Sequence, residues 1–380
     1  MKTSEKIPFF SPATSLASLV VLLAIGVAVY RLAKGLGAAT NLNDNFPWGL
    51  WIGFDLLGGV AMAAGGFIIA GTVYLFNIKK YKPIARPAVL TAFLGYLLAV
   101  VALMLDLGHP YRIWHPAVMW QIHSIMFIVA LHVIGYTTVL AIEFSPMLFE
   151  RLGLEGPLRF VRKIMVGAVL AGCMLSVLHQ SSLGAVYLIA PDKLSPLWYS
   201  SLMPYHFLVS AVMMGLTMVS FESIMSAKAF NHPPPMEILT GLARGTTIAL
   251  AGYLVFKLCS LATGPGVATA LDGSYEANMY LLEMGMGVVL PLLLLVSRSI
   301  RTSIKGLVWV DLLVISGVIL NRMNIAITGM YRHGASTGAS YAPSWMEVVI
   351  TLGIVALGVI LFRAAGFFLP LFPDEAKVKA

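Results

Sequence analysis

The sequence predicts an all-α polytopic membrane protein, and three observations carry that prediction. The 380-residue chain is 59% hydrophobic and only 11% charged, with a mean hydropathy of +0.87. Soluble domains carry about 25% charged residues, so little of this chain suits a water-facing surface. Its apolar residues also form long runs, and a membrane-spanning α-helix needs about 20 of them. We interpret residues 1–380 as a single integral membrane domain.

Ten apolar runs follow one another along the chain, separated by short linkers. They occupy residues 13–34, 48–76, 86–107, 116–144, 163–190, 195–226, 240–263, 276–298, 304–328 and 342–368. An even number of spans predicts that both termini lie on the same side of the membrane. Because Lys and Arg concentrate in the cytoplasmic loops of membrane proteins, the net charge of +8 indicates topology rather than nucleic-acid binding.

The distribution of Lys and Arg predicts the orientation. The N-terminus, the linkers 77–87, 145–163, 227–239 and 298–305, and the C-terminal tail together hold 16 of them. The alternate linkers, counted with Arg31 and Lys34 at the end of the first span, hold 5. The positive-inside rule therefore predicts cytoplasmic termini. The less basic linkers are expected on the outer side.

Four titratable residues fall toward the outer side of the predicted spans. With a helix rise of 1.5 Å per residue, Asp55 and His123 lie about 10 Å into the membrane and His179 about 16 Å, while Asp106 ends span 3. Charged or titratable groups are costly in hydrocarbon, so they often serve proton-coupled chemistry. The structural alternative is a buried carboxylate or histidine whose hydrogen bonds are satisfied by neighbouring helices.

The surroundings of these residues add further candidates. Asp106 ends a helix, where a carboxylate is unfavourable, and pairing with Arg112 or His109 would explain its presence. Both partners belong to an outer loop, 107–115, that is rich in aromatic and polar side chains. Gln180 follows His179 in a polar run that must face other helices or a cavity.

The remaining intramembrane charges have simpler interpretations. Glu143 and Glu222 resemble interfacial charges near helix ends, and Asp311 also lies toward the cytoplasmic side. Lys257, Glu283 and Arg322 fall at similar depth on spans 7–9, which predicts a structural ion-pair network.

Two cofactor classes can be weighed from the sequence. Four histidines lie in predicted spans, namely His123, His132, His179 and His206, but their unequal predicted depths disfavour a bis-histidine haem b. Cys173 and Cys259 are the only cysteines, too few to hold an Fe–S cluster in this chain.

Four segments together resemble a known family. They are Pro47-Trp48-Gly49-Leu50-Trp51-Ile52-Gly53-Phe54-Asp55, Leu105-Asp106-Leu107-Gly108, Ala141-Ile142-Glu143-Phe144-Ser145-Pro146 and His179-Gln180-Ser181-Ser182-Leu183-Gly184. They are similar to the NrfD/polysulfide-reductase membrane-subunit family and, within it, to the membrane subunit of hydrogenase-2-type [NiFe] hydrogenases. The resemblance extends over nearly the whole chain.

The resemblance implies a fold and a function. The fold would be two four-helix bundles, about 48–190 and 195–328, flanked by helices at 13–34 and 342–368. The subunit would be haem-free and would exchange electrons between menaquinone or ubiquinone and a four-cluster, ferredoxin-like Fe–S partner on the outer, periplasmic face of the bacterial inner membrane. Catalytic hydrogenase subunits would complete the complex.

The titratable residues and the family resemblance together predict one site. The quinone ring is expected near the outer face, among Trp51, Asp55, Asp106, Arg112, His123, His179 and Gln180. Asp55, His123 and His179 are the expected proton-transfer groups. Two alternatives stay open, a secondary transporter and a haem b-type membrane cytochrome.

Overall fold

The computed structural model describes residues 11–263 and 265–371. Within those residues, ten helices are long and apolar enough to cross a membrane, as the sequence predicted. They are α1 (Pro12–Lys34), α2 (Trp51–Leu75), α3 (Lys79–Asp106), α4 (Ile125–Leu152), α5 (Glu155–Ile189), α6 (Met203–Ala229), α7 (Met236–Ala262), α8 (Tyr275–Val296), α9 (Ile304–Ser336) and α10 (Trp345–Phe368). The chain is therefore a multi-pass integral membrane protein.

Two helices begin later than their hydropathy suggested. α4 begins at Ile125 rather than near residue 116, because Ser124 caps it by accepting a hydrogen bond from the backbone N–H of Phe127. α6 begins at Met203 rather than near residue 195. The apolar residues before it form a loop, held by a 2.8 Å hydrogen bond from the Ser195 N–H to the Gly329 carbonyl. Leu197 and Trp198 of this loop are buried without being helical, so their hydropathy does not mark the start of the helix.

The helices pack in two groups of four, with a separate pair alongside. Helices α2, α3, α4 and α5 contact one another in a ring, and α6, α7, α8 and α9 form a second ring. α1 and α10 pack together, and α10 also contacts α2 and α3. The two groups meet where α2 packs against α6 and α9 and where α5 packs against α6. A Cβ on Gly65 would lie 2.8 Å from the carbonyl oxygen of Gly215, so small residues are needed for this close approach.

The linkers collect on two opposite faces. We call the face formed by linkers 35–50, 107–124, 190–202, 263–274 and 337–344 the loop-rich face, and the face formed by 76–78, 153–154, 230–235 and 297–303 the basic face. On the first, Asn41 Nδ2 donates to the Ala342 carbonyl at 2.9 Å. On the second, Lys80 pairs with Glu237 at 2.8 Å. The alternation agrees with the predicted topology; Lys2, Lys6, Lys377 and Lys379, which contributed to it, lie outside the described residues.

α2 departs from regular α-helical geometry at three places. It begins as a wide π-helical segment (Trp51–Gly58), breaks at Ala63 and Ala64, and ends in a second π-helical segment (Gly71–Leu75). Wide turns of this kind are rare and often occur at functional sites. The helix is largely buried between its neighbours, and two α5 side chains donate to its backbone, Gln180 to the Val60 carbonyl and Cys173 to the Phe67 carbonyl.

Candidate functional site

Asp55 is a buried carboxylate on the wide segment of α2. Its side chain is 5% exposed, and Oδ2 accepts a 2.6 Å hydrogen bond from the Thr351 hydroxyl of α10. Asp55 takes part in none of the ion pairs that the described residues form. A carboxyl group in such a position is well suited to hydrogen-bond and exchange a proton with a ligand.

Asp55 lines a cavity of about 460 Å³ between α2, α3, α6 and α10. Its walls are mostly apolar, formed by side chains such as Phe54, Met62, Leu94, Leu98, Met218, Phe221, Met225 and Ile354. The polar groups that reach it are few: Asp55, Thr91, Glu222, Ser226 and Arg363. An apolar pocket of this size with a small number of polar groups is typical of small-molecule sites.

Glu222 is a second carboxyl group in the same cavity, on the half nearer the basic face. It is buried, and it accepts a 2.5 Å hydrogen bond from the Thr91 hydroxyl of α3. The interpretation of Glu222 as an interfacial charge was therefore wrong. Its distance from the end of α6 suggested contact with water, but the packing of α3 and α10 covers it.

Trp51 fastens the start of α2 to the start of α10. Its indole N–H donates a 3.2 Å hydrogen bond to the backbone carbonyl of Glu347. The Glu347 side chain completes a capping box with Ser344 and accepts a 2.5 Å hydrogen bond from the Tyr341 hydroxyl. Burial raises the pKa of Tyr341, and the neighbouring Glu347 raises it further, so Tyr341 remains a donor. Trp51 thus positions the helices beside Asp55 rather than lining the cavity.

Sequence reasoning missed Thr351, Tyr341 and Glu347. One signal was present: Ser344 and Glu347 have the Ser-x-x-Glu spacing of a capping box, which marks the first turn of α10. Nothing local indicates that Thr351 reaches Asp55, because the two residues are far apart in sequence and meet only when α10 packs against α2.

His179 lies in a different environment, inside the first group of helices. It is fully buried, and neither ring nitrogen has a hydrogen-bond partner among the described residues. Its ring centroid lies 5.6 Å from that of Tyr96 and 6.5 Å from that of His132. Tyr96 and His179 do not line the cavity of Asp55. The structure therefore separates two residues that the sequence assigned to one site.

The neighbour of His179 has a defined backbone partner. Gln180 Nε2 donates a 3.0 Å hydrogen bond to the carbonyl of Val60, just beyond the wide segment of α2. Gln180 thus ties α5 to the irregular helix.

Further polar groups continue from His179 toward the basic face. The Tyr96 and Tyr136 rings meet edge to face, with centroids 4.7 Å apart. Glu143 lies farther along α4; it is 8% exposed, and its Oε2 has no partner among the described residues. Glu143 was expected to be an interfacial charge, and this was wrong because α5 covers it at Gly172. The interior of the first helix group therefore contains a column of titratable groups.

Asp106, Arg112 and His123 do not form the cluster expected of them. The buried Arg31 of α1 lies at this end of α3, where its guanidinium donates a 2.5 Å hydrogen bond to the Leu107 carbonyl, and Asp106 takes part in none of the ion pairs that the described residues form. Arg112 is exposed and lies over the Tyr111 ring. The predicted pairing of Asp106 with Arg112 or His109 is not found among the described residues. The prediction could not include Arg31, because nothing in the sequence indicated that α1 would pack at this end of α3.

His123 is exposed in a turn two residues before α4. Its predicted depth of about 10 Å assumed a span that begins near residue 116, whereas the helix begins at Ile125. Residues 116–122 are apolar enough to extend a predicted span. In the structure they instead form a short helix (His115–Val118) and a surface loop.

The predicted network of Lys257, Glu283 and Arg322 is present in the second helix group. Lys257 Nζ lies 3.5 Å from Glu283, whose carboxylate also accepts hydrogen bonds from Trp198, Asn321 and Asn324. Arg322 joins through Asn321 and through the Ser210 hydroxyl, both at 2.7 Å. Charged groups that are hydrogen-bonded across helices in this way tie neighbouring helices together.

Comparison with known proteins decides the family. The sequence profile of the family described as "Polysulphide reductase, NrfD" matches residues 38–333. The chain belongs to the NrfD family.

Among its relatives, the probable Ni/Fe-hydrogenase 2 b-type cytochrome subunit of Escherichia coli K12 is 31% identical over 361 residues, 93% of this chain and 90% of the relative. The menaquinone reductase integral membrane subunit of Nitratidesulfovibrio vulgaris is 28% identical over 388 residues, 92% and 89% of the two chains. The family resemblance inferred from the motifs is thereby confirmed.

The part of this NrfD chain that matches the family profile ends before α10. Residues 38–333 contain α2 to α8 and nearly all of α9. Helix α10, which supplies Thr351 and one wall of the cavity, lies beyond them. The relatives match more than nine-tenths of the chain, so their similarity is not confined to that segment.

The intramembrane histidines of this NrfD chain depart from the expected depths. His132 and His179 have rings 6.5 Å apart, so the expectation of unequal depth was wrong for this pair. The late start of α4 is the reason, because it brings His132 closer to the loop-rich face. His132 Nδ1 is 3.2 Å from the Ser182 hydroxyl, and His206 Nε2 is 3.3 Å from the Phe256 carbonyl.

Proposed function

We propose that this chain is the quinone-reactive membrane subunit of a respiratory oxidoreductase whose catalytic partner is a [NiFe] hydrogenase. The observation that carries the proposal is the apolar cavity lined by Asp55, whose carboxylate is held by the Thr351 hydroxyl of α10. The relatives named as a menaquinone reductase subunit and as a hydrogenase 2 subunit support the quinone and the partner, respectively.

The chemistry at Asp55 follows from its surroundings. Reduction of a quinone adds two electrons and two protons to its ring oxygens, and oxidation removes them. A carboxyl group that is within reach of the ring can donate or accept one of these protons. Thr351 holds the Asp55 side chain in one orientation, and the apolar walls keep bulk water away from the ring.

The wider proton route involves the first helix group. His179, Tyr96, Tyr136 and Glu143 form a column of titratable groups behind the cavity. We assign to them the exchange of protons between the site and the membrane faces, as imidazole and carboxyl groups do in other intramembrane relays. Asp106, Arg112 and His123 would act at the loop-rich end, where Arg112 and His123 are exposed.

The loop-rich face is the expected docking side of the Fe–S partner. Electron transfer requires the quinone near a terminal cluster, and Asp55 lies about 6 Å along α2 from its loop-rich end. The loop 107–124 there exposes Tyr111, Trp114 and Trp120. By the positive-inside rule, this face lies on the outer side and both termini are cytoplasmic. In the proposed location, the bacterial inner membrane, the outer side is the periplasm.

We further propose that the chain works without haem. A porphyrin between His132 and His179 would have to separate α4 from α5. These helices pack closely: a Cβ on Gly172 of α5 would lie 3.1 Å from the Val139 side chain of α4. The menaquinone or ubiquinone would then be the direct electron acceptor or donor.

Asp55→Asn should abolish quinone-linked turnover of the purified complex and leave electron transfer to artificial dyes intact, since dyes react with the hydrophilic subunits. Asp44→Asn, an exposed change on the loop-rich face, is the matched control. Steady-state rates with quinone and with dye provide the measurement, and the same preparation should show no Soret band at stoichiometric level. An Asp55→Asn complex that assembles and turns over quinone like the wild type would refute the site.

A further inference from the structure

The cavity is much longer than a quinone ring. Its lining residues run along α10 from Ile354 to Arg363 and along α6 from Met218 to Phe230. At 1.5 Å per residue these stretches measure about 14 Å and about 18 Å. The cavity is therefore a groove parallel to the helices. A ring at Asp55 would occupy only its end toward the loop-rich face.

The middle of the groove is suited to a hydrocarbon chain. Leu94, Leu98, Met218 and Phe221 line it between Asp55 at one end and the Thr91–Glu222 pair farther along, and Met225 continues the apolar lining about one helical turn beyond Glu222. Methionine side chains are flexible and polarisable, and they adapt to irregular apolar ligands. A water-soluble substrate would leave most of this surface without a complementary group.

The groove is also accessible from the lipid. Val355 and Val359 line it, yet they are 44% and 62% exposed on the outer surface of α10. In a membrane-spanning helix, such exposed apolar side chains face acyl chains. A ligand with a long hydrocarbon tail could therefore pass beside α10 without crossing water.

We propose that this groove binds the polyprenyl tail of the quinone, with the ring at Asp55 and the tail running between α6 and α10 toward the basic face. The inference rests on the proposed function and adds to it the orientation of the substrate and a set of residues that discriminate tail length. Met225 and Val355 are the specificity-determining positions that can be tested directly.

The test uses the purified complex and two quinones with the same ring, one with a long polyprenyl tail and one without a tail. Met225→Trp should fill the groove and raise the KM for the long-tailed quinone by about tenfold, the factor expected when about two methylene groups lose their burial. The KM for the tail-less quinone should stay within about twofold. Comparing each variant with wild type for the same quinone cancels differences in membrane partitioning.

Matched variants separate the groove from general effects on the membrane surface. Met174→Trp makes the same change at an exposed position of α5 that does not line the groove, and it should alter neither KM. Val355→Phe repeats the test from α10, with Leu352→Phe as its control, in case Met225→Trp does not assemble.

The outcomes are distinct. Equal effects on both quinones, or no effect of either groove variant in an assembled complex, would overturn the tail assignment. If the wild-type complex reduces or oxidises neither quinone, the proposed function itself fails.

Discussion

At the scale of single residues, the irregular helix α2 depends on side chains from its neighbours. Its wide and broken turns release backbone groups that water cannot reach inside a bilayer. Gln180 supplies one such partner, with a 3.0 Å hydrogen bond to the Val60 carbonyl, and it is fully buried. This contact explains a polar residue deep in α5 without assigning it to catalysis.

Gln180→Leu should destabilise the protein by about 1–3 kcal/mol, because the Val60 carbonyl would be left buried without this partner. Thermal unfolding of the detergent-purified chain measures the effect as a lower Tm. Gln121→Leu, at an exposed position in the loop before α4, should change stability by less than about 0.5 kcal/mol. Equal Tm values for the two variants would show that the Val60 contact is unimportant.

At the scale of elements, α10 determines the shape of the candidate site. It contacts α2 through Thr351–Asp55 and through the Trp51 indole, and its half nearer the basic face forms a wall of the groove. Near the basic face, Arg86 of α3 donates a 2.7 Å hydrogen bond to the Pro370 carbonyl just beyond α10. The helix is thus fixed at both ends, with the cavity between the two attachments.

Thr351→Val should lower quinone turnover by roughly tenfold, corresponding to the net free energy of about one hydrogen bond. The valine has nearly the same shape, so the groove is retained while Asp55 loses its donor. Thr351→Ser should restore the rate, because it returns the hydroxyl group. Kinetics with quinone and with dye measure both variants; if serine and valine behave alike, the hydroxyl has no positioning role.

At the scale of the whole molecule, the two faces differ in a way that suits assembly. The loop-rich face carries five connecting segments, one of which, 107–124, has exposed aromatic side chains. The basic face has short linkers and ion pairs such as Arg86–Glu150 at 2.8 Å. A partner subunit that must approach Asp55 closely would bind the loop-rich face.

Arg112→Ala should reduce co-purification of the Fe–S subunit or the rate of quinone turnover, because Arg112 is exposed beside Tyr111 and can pair with a partner carboxylate. Arg151→Ala, an exposed arginine at the opposite end of α4, is the matched control. Subunit ratios after affinity purification give the readout. Loss of the partner with Arg151→Ala alone would reverse the proposed docking side and topology.

The sequence by itself determined the membrane class, the ten spans, the alternation of the linkers and the family. These properties depend on local hydropathy, on helix length and on short motifs, all of which are readable along the chain. It also predicted the Lys257–Glu283–Arg322 network, because opposite charges at similar depth in a bilayer rarely stay unpaired.

Only the tertiary structure decided which polar residues lie together. His123 was placed inside a predicted span because its surroundings are apolar, yet it precedes α4, which begins at Ile125. Glu222 was taken for an interfacial charge, yet it lines the groove. Asp55 and His179 were grouped by depth, but they lie in separate environments. Depth along a helix can be counted from the sequence, whereas the direction in which a side chain faces depends on packing between distant helices, as the Asp55–Thr351 contact illustrates.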